Sequence, residues 1–342
     1  MRKDNPITHV CICGSAYALL QYVLLQEEDI IKNHTYYILG SGIKSEIAHR
    51  LPYYTQFDTT PVSGVKKLRR VWYKLYLLCF SMFRFPFLRT ARVYAQDYLY
   101  PIIAIQKRPY YMLQESPFHL MVNYGPDSHD YQRLRVHLNS CFGKLEQWMY
   151  GRVLLSFPGS TEQCKKILLT EENKSPLLEG KEYEVRSLQV LWNEATESKK
   201  KWIRALYDIA DGELMTEPNI FLTQPLVDDG ILTAAEYKEL LEKIFAHYGK
   251  KDVCIKVHPR DTYPYATEFA DMNVFSKPIN LELLFLLEWK CSRVISICST
   301  AVNYVSENTE VDWLGTEIHP KLLAYFGNAI VPYRKYHKVN LV

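Results

Sequence analysis

Apolar runs typical of buried strands alternate with helix-forming segments along most of the sequence, and this alternation limits the possible folds more than any other feature. The first unit has a strand pattern at 8–14, a helix pattern at 16–29 and a second strand pattern at 35–42. Buried strands joined by helices are typical of parallel sheets with helices on both faces. With 342 residues, the chain is long enough for two such domains. We therefore predict an α/β protein of two doubly wound domains with a cleft between them.

A polar stretch between residues 170 and 200 is the best candidate for the domain boundary. It contains the charged segment 170–184 and the lysine-rich run 197–202. Domain boundaries tend to fall in such polar segments. We predict an N-terminal domain at 1–185 and a C-terminal domain at 186–342.

The charge balance and the cysteines exclude several classes of protein. The 41 Lys and Arg residues exceed the 38 Asp and Glu residues by only three, so we predict no nucleic-acid partner. The eight cysteines lie mostly in apolar runs and show no zinc-ligand spacing. No stretch reaches the roughly 18 uncharged residues that span a bilayer. These features predict a cytoplasmic protein with reduced thiols.

The segment 66–100 is basic at its start and rich in aromatic residues. On a helix, Leu68, Trp72 and Tyr76 share one face, and basic residues flank it. We favour a core or inter-domain helix with a solvated basic edge. The second interpretation is peripheral contact with the inner face of the cytoplasmic membrane through 66–90, because basic amphipathic helices bind anionic surfaces.

His258 is the first residue after an apolar strand pattern that ends at Val257. Ligands bind at the carboxyl ends of strands in open α/β sheets, so His258 is predicted at a binding edge. Pro259 disfavours helical backbone at His258 and keeps the loop extended. A histidine beside Arg260 can supply a proton and positive charge to a departing phosphate. A loop histidine with a structural hydrogen bond explains these residues equally well.

An acidic pair, Asp228 and Asp229, follows the strand pattern at 219–225 and precedes a helix that starts with a capping box at 233–236. This position predicts that the acidic pair lies at the same edge of the sheet as His258. One carboxylate there can take a proton from an acceptor hydroxyl while another group stabilises the leaving group. The alternative is an Asp-Gly turn, which accounts for Asp229 and leaves Asp228 without a stated role.

Small hydroxyl residues follow a further strand pattern that ends at Ser296. Ser299 and Thr300 lie where this strand leads into a helix. Hydroxyls and free N–H groups at a helix N-terminus bind an anion without a metal. Either residue also suits a simple N-cap, and both roles can hold together.

Taken in this order, the three motifs resemble those of glycosyltransferase family 52, the bacterial lipooligosaccharide and capsule sialyltransferases. The resemblance covers about 219–320 and rests on Gln224-Pro225 with Asp228-Asp229, His258-Pro259-Arg260 with Asp261-Thr262-Tyr263, and 296–300. It implies the GT-B fold, with two Rossmann-like domains facing a cleft. It also implies inverting transfer of sialic acid from CMP-sialic acid to a terminal galactose of a surface glycan, with an α-2,3 linkage as the first expectation.

The resemblance also implies roles for individual residues. His258 would bind the CMP phosphate and act as general acid, and we prefer Asp228 to Asp229 as the base, although an insertion leaves that choice open. Glu282 would bind the ribose. The expected donor site is completed by Pro259, Arg260, Ser296, Ser299 and Thr300. We expect no metal and no cofactor, because these groups can balance a single phosphate; the family further implies a homodimer.

The N-terminal half departs from the pattern of related sialyltransferases, which have two acidic residues followed by glycine. The matching place here is Gln114-Glu115-Ser116. Only Glu115 is acidic, and it is an acceptor-side candidate together with His119 and Asp229. Either Asp228 alone supplies the base, or the substrates differ. The alternatives are therefore a GT-B transferase with another nucleotide sugar, or a non-catalytic glycan- or nucleotide-binding protein of the same fold.

Overall fold

Two parallel sheets with flanking helices make up the part of the chain that the structure describes. The computed structural model describes residues 6–57, 85–97, 108–117, 120, 132, 135–137, 139–141, 143–145, 158–172, 174–175, 178–210, 212, 216–327, 332 and 334–341. The chain divides into two compact units, Met1–Leu206 and Tyr207–Val342. His119 lies outside the described residues, as do residues 66–84 and 98–100 of the basic aromatic segment.

The first unit contains, in its described residues, a parallel sheet of seven strands in the order β3-β2-β1-β4-β5-β6-β7. The interior strand β1 is buried along its whole length, as its apolar sequence and its position in a parallel sheet require. The seven strands are β1 (His9–Cys13), β2 (Thr35–Leu39), β3 (Tyr54–Gln56), β4 (Arg92–Ala95), β5 (Tyr110–Leu113), β6 (Cys164–Leu169) and β7 (Tyr183–Val185).

Helix α1 of the first unit begins where the Ser15 side chain accepts a hydrogen bond from the amide of Ala18. Its side chains at 16–24 are all buried, which is typical of a helix enclosed by the core. The helix predicted at 16–29 ends earlier, and a π-helix at Ile30–His34 leads into β2. The helices of this unit whose bounds lie wholly within the described residues are α1 (Ala16–Leu25), α2 (Ser45–Ala48), α3 (Leu188–Glu194) and α4 (Glu197–Leu206), with a 3-10 helix at Pro86–Arg89.

Helix α4 is anchored to the end of α1 by a buried lysine. The ammonium group of Lys199 donates to the carbonyls of Leu24 and Gln26, both at 2.7 Å. Carbonyls at a helix C-terminus lack intrahelical partners, so this side chain satisfies them. Burial lowers the pKa of Lys199 to about 8. This contact ties α4 to α1 within the unit that ends at Leu206, and the domain limits at 185/186 stay a prediction from the sequence.

As far as its residues are described, the second unit has a parallel sheet of six strands in the order β10-β9-β8-β11-β12-β13. The six strands are β8 (Glu217–Leu222), β9 (Val253–Lys256), β10 (Asn273–Phe275), β11 (Cys291–Ser296), β12 (Glu310–Trp313) and β13 (His337–Lys338). The helices are α5 (Ala234–Tyr248), α6 (Tyr265–Glu268), α7 (Leu281–Leu286) and α8 (Pro320–Phe326), with 3-10 helices at Lys250–Asp252, Thr300–Tyr304 and Thr316–Ile318.

Helix α5 shows how local sequence sets an element of the second unit. Both hydrogen bonds of the capping box form between Thr233 and Glu236. The buried side chains are spaced to form one apolar face: Tyr237, Leu240, Leu241, Ile244 and Phe245. Gly249 ends the helix with φ at 81°, a left-handed backbone that favours glycine.

The two sheets share one local strand order. In each unit the third, second, first, fourth, fifth and sixth strands are neighbours, and the first unit adds a seventh at the edge. This is the doubly wound Rossmann-like order. The direction of winding reverses between β1 and β4 and between β8 and β11, where neighbouring loops diverge and leave a crevice at the carboxyl ends of the strands. The predicted fold class of two doubly wound units is confirmed.

Within the described ranges, no helix is both long enough and apolar enough to cross a bilayer.

Asp97 follows β4 and is a fully buried carboxyl group. Its Oδ2 accepts hydrogen bonds from the Tyr110 hydroxyl at 2.5 Å and the Gly159 amide at 2.7 Å, whereas Oδ1 is buried and has no hydrogen-bond partner among the residues that the structure describes. Burial raises the pKa of Asp97 to about 6, although both hydrogen bonds act in the opposite direction. The folded protein therefore keeps a proton on this group at a pH where the unfolded chain has released it.

The substitution Asp97→Asn should remove this titration. The group ionises at 3.8 in the unfolded chain and at about 6 in the folded protein. As the pH rises from 3.8 to about 6, the free energy of unfolding of the wild type should therefore decrease by up to about 3 kcal/mol, at about 1.36 kcal/mol per pKa unit. Urea unfolding at acidic and neutral pH should show this loss in the wild type and not in the variant. The same pH dependence in both proteins would contradict the assignment.

Candidate functional site

The loops after β8 and β9 are joined by two buried polar side chains. The amide of His258 donates to the Thr223 hydroxyl oxygen at 2.8 Å. That hydroxyl donates in turn to Asp261 Oδ2 at 2.7 Å. Thr223 is 2% exposed and Asp261 7% exposed, so both bonds are shielded from water. The backbone at the start of the His-Pro-Arg loop is therefore fixed to the end of the neighbouring strand.

Asp261 receives further hydrogen bonds from its own side of the loop. The Tyr265 hydroxyl donates to Oδ2 at 2.6 Å and the Tyr263 amide to Oδ1 at 3.1 Å. The Tyr237 hydroxyl of α5 lies 2.9 Å from that of Tyr265. Burial raises the pKa of the Asp261 carboxyl, and the hydrogen bonds from Tyr265 and Thr223 oppose that shift. One long-range hydrogen bond, from Thr223, and two local ones, from Tyr263 and Tyr265, therefore converge on one carboxyl group.

The half-buried ring of His258 is oriented by the loop that it begins. Its Nδ1 accepts a hydrogen bond from the amide of Arg260 at 3.1 Å. A backbone amide can only donate, so Nδ1 carries no proton in this arrangement. The proton of the neutral imidazole is therefore on Nε2, where it can be donated to a ligand.

The acidic pair lies against the same loop. Thr262 donates to Asp228 through its amide at 2.8 Å and through its hydroxyl at 2.5 Å. The guanidinium of Arg260 forms an exposed ion pair with Asp229 at 3.4 Å. The structure thus brings Asp228, Asp229, His258 and Arg260 into one hydrogen-bonded group at the carboxyl ends of β8 and β9. Sequence reasoning did not assign roles to Thr223, Asp261 or Thr262, although the last two belong to the quoted motif.

The loop after β11 meets the loop after β8 at the reversal point of the second sheet. The Cys298 thiol donates to Gln224 Oε1 at 2.7 Å. The amide of Ser299 donates to the hydroxyl of the fully buried Ser296 at 2.8 Å. Ser299 and Thr300 are half-buried. The helix that follows is a 3-10 helix of five residues in place of the expected α-helix, so few peptide dipoles are aligned there.

Glu282 lies in the first turn of α7 and is 3% exposed. Its Oε2 accepts a hydrogen bond from Asn280 Nδ2 at 3.0 Å. The buried ammonium of Lys256, at the end of β9, donates to the Val257 carbonyl at 2.5 Å. Burial lowers the pKa of Lys256 to about 7, and the charge of Glu282 acts in the opposite direction. A buried carboxylate and a buried amine therefore lie near the same sheet edge as His258.

In the first unit, the backbone amides of the turn between β1 and α1 are already bound by a side chain of the protein. The amides of Gly14 and Ser15, which open α1, donate to Gln96 Oε1 at 2.5 Å and 3.3 Å. N–H groups at this place hold a phosphate in many nucleotide-binding folds. Here a side chain of the protein uses them, so the turn serves the structure of the first unit.

Gln114, at the place of the expected acidic motif, joins three elements of the first unit. It is fully buried, and its amide donates to the side chain of Gln21 on α1 at 2.9 Å. Its Oε1 accepts a hydrogen bond from the Thr170 amide at 2.9 Å, and its Nε2 donates to the carboxylate of Glu171. Glutamine at position 114 therefore supports the end of β6. Glu115, the acceptor-side candidate beside it, is half-buried.

The substitution Gln114→Glu should destabilise the first unit by roughly 1 to 3 kcal/mol at neutral pH, because it removes a donor and sets two carboxylates against each other. Urea unfolding would measure the change. The double variant Gln114→Glu/Glu171→Gln restores one amide–carboxylate pair and should recover part of the loss. A double variant as unstable as the two single changes added together would show that the pair is not coupled.

Over the residues described, no group of three or more His, Cys, Asp and Glu side chains is arranged to hold a metal ion.

Comparison with known proteins gives the family. The model of glycosyltransferase family 52 matches residues 127–322, more than half of the sequence. The chain belongs to glycosyltransferase family 52. An uncharacterized protein of Haemophilus influenzae is similar to this family 52 chain, with 40% identity over 181 residues. The alignment covers 51% of this chain and 58% of that protein, so the family 52 chain spans little more than half the length of this relative.

Two solved sialyltransferases share the fold of the family 52 chain. The α/β-galactoside α-2,3-sialyltransferase of Photobacterium phosphoreum matches with a TM-score of 0.51 and 11% identity over 98% of each chain. The GT-B domain of a sialyltransferase from Photobacterium damselae matches with a TM-score of 0.50 and 10% identity over 95% of each chain. At this level of identity the matches establish the fold, which is GT-B-like as predicted.

Proposed function

We propose that this chain is an inverting sialyltransferase that moves sialic acid from CMP-sialic acid to a terminal galactose of a lipooligosaccharide or capsule glycan, with an α-2,3 linkage. Membership of glycosyltransferase family 52 supports group transfer from an activated sugar. The fold shared with two sialyltransferases is consistent with this donor. A homodimer, a cytoplasmic location and contact of 66–90 with a membrane surface stay predictions from the sequence.

The observation that carries the proposal is the orientation of His258. Its Nδ1 is occupied by the amide of Arg260, so the proton of the neutral ring is on Nε2. In the proposed reaction Nε2–H donates a hydrogen bond to an oxygen of the CMP phosphate, and this bond strengthens as the bond between that oxygen and the anomeric carbon breaks, while the proton stays on Nε2 of the neutral ring. The electron pair of the bond stays on the phosphate oxygen. A hydrogen-bond donor is needed there because the phosphate leaves with added negative charge.

Asp228 is the proposed base of the same step. Its two oxygens accept hydrogen bonds from Thr262, which fixes the carboxylate plane and leaves further lone pairs for an acceptor hydroxyl. As that hydroxyl loses its proton to Asp228, its oxygen attacks the anomeric carbon on the face opposite CMP. A single displacement of this kind inverts the configuration.

The remaining residues divide into donor and acceptor groups. We assign the donor phosphate to Ser299, Thr300 and Arg260, with Pro259 and Ser296 shaping the two loops, and the ribose hydroxyls to Glu282. Glu115, Asp229 and His119 are the acceptor-side candidates. The ion pair with Arg260 gives Asp229 a separate task, which supports Asp228 as the base.

The variants His258→Ala and Asp228→Asn should each lower kcat by about 100-fold or more, the usual contribution of a positioned hydrogen-bond donor or base. Release of CMP and formation of sialylated galactoside would be measured with purified protein. Ser116→Ala is the matched control, because only the backbone carbonyl of this residue takes part in the described hydrogen bonds, and it should keep wild-type kcat. Full activity in His258→Ala would refute the mechanism.

The donor is tested by thermal unfolding in the presence of CMP, CMP-sialic acid, UDP and UDP-sugars. A ligand that binds only the folded state raises the melting temperature, so CMP and CMP-sialic acid should give the largest shifts. A larger shift with a uridine nucleotide would indicate a different transferase of the same fold. A shift with CMP-sialic acid but no release of CMP, even with galactosides present, would indicate a binding protein.

A further inference from the structure

We propose that Asp261 is a positioning residue of the transfer reaction and that it acts on His258 through the hydroxyl of Thr223. The proposal rests on the function given above, in which His258 donates a hydrogen bond to the leaving phosphate. Asp261 itself touches no substrate in this scheme. Its task is to hold the backbone at His258 so that the imidazole keeps one position relative to the donor phosphate.

The direction of the hydrogen bonds supports this role. An ionised Asp261 can only accept, so the Thr223 hydroxyl must donate its single proton to Oδ2. Its lone pairs are then free for the amide of His258, which donates at 2.8 Å. The Tyr265 hydroxyl donates to the same Oδ2 from the other side. The carboxylate therefore sets the orientation of the hydroxyl that holds His258.

The energetic cost of Asp261 also indicates more than loop anchoring. A buried carboxylate is unfavourable unless several hydrogen bonds compensate for lost hydration, and those bonds require tyrosine and threonine at fixed places. A loop can be anchored by neutral groups at a lower cost. Strained or costly arrangements of this kind concentrate at functional sites.

Asp261 is followed directly by the residue that holds the second reacting group. Thr262 binds both oxygens of Asp228, the proposed base. The dipeptide 261–262 therefore contacts the end of β8 through Thr223 and the loop after β8 through Asp228. His258 and the proposed base come from different strands, and this dipeptide sets the position of one relative to the other. Small displacements of such groups can cost about 100-fold in rate.

The test compares Thr223→Val with Thr223→Ser in the full-length protein. Valine keeps the size of the side chain and removes the hydroxyl, whereas serine keeps the hydroxyl. We expect Thr223→Val to lower kcat by about 10- to 100-fold with a change in the donor KM below about threefold. Thr223→Ser should restore kcat to within about threefold of the wild type. Thermal unfolding and CMP binding check that the variants are folded.

A second comparison separates positioning from general stabilisation. If Asp261 and Thr223 act through His258, Thr223→Val should cause no further loss of kcat in a His258→Ala background. Tyr265→Phe, which keeps the ring and removes a donor to Asp261, gives an independent variant should Thr223→Val not fold. Its loss of kcat should likewise vanish in the His258→Ala background.

The outcomes distinguish this inference from the proposed function. Equal kcat in Thr223→Val and Thr223→Ser, or losses that multiply with that of His258→Ala, would overturn the positioning role while the transferase function stands. A wild-type protein that releases no CMP from CMP-sialic acid, or a His258→Ala variant with full activity, would overturn the proposed function, and the positioning role with it.

Discussion

The buried carboxyl group of Asp261 is the interaction on which the described site depends. A carboxylate in the protein interior must be surrounded by hydrogen-bond donors. Here they are Thr223 directly after β8, Tyr263 in the same loop and Tyr265 at the start of α6. Each donor fixes the segment to which it belongs. Since parallel strands end at one edge of the sheet, this single group relates the loops after β8 and β9 to each other. These hydrogen bonds thus fix the orientation of the two loops, which strand pairing alone does not do.

Much of this arrangement follows from patterns that the sequence displays. Apolar strands followed by polar loops placed His258, the acidic pair and Ser299 at the carboxyl ends of strands, and the capping box located the start of α5. These features depend on residues near in sequence. The partners of Asp261 could not be predicted in this way, because Thr223 lies 38 residues earlier and their contact depends on strand order. The motif showed Asp261 beside His258 and gave no sign that a threonine joins them.

Two features of the sequence are explained by contacts between residues that lie far apart in the chain. The polar, lysine-rich run 197–202 belongs to the stretch where the domain boundary is predicted, and within it Lys199 is buried against the end of α1. The composition of a polar run does not distinguish a buried lysine from a solvated one. Likewise, the amide of Gln114, at the place of the acidic motif, donates to Glu171, which lies just after the adjacent strand β6. The carboxylate next to Gln114 is that of Glu171, 57 residues later in the chain, so the motif segment alone does not reveal it.

The shared strand order of the two sheets has a consequence for how their sites differ. In the first unit, the side chain of Gln96 reaches the amides that open α1 and binds them as an anion would. In the first unit, this amide oxygen therefore occupies the N–H groups that a phosphate would need. In other proteins with two α/β sheets of the same strand order, a side chain bound to the amides of this turn would mark a unit whose first turn cannot hold a phosphate in that state.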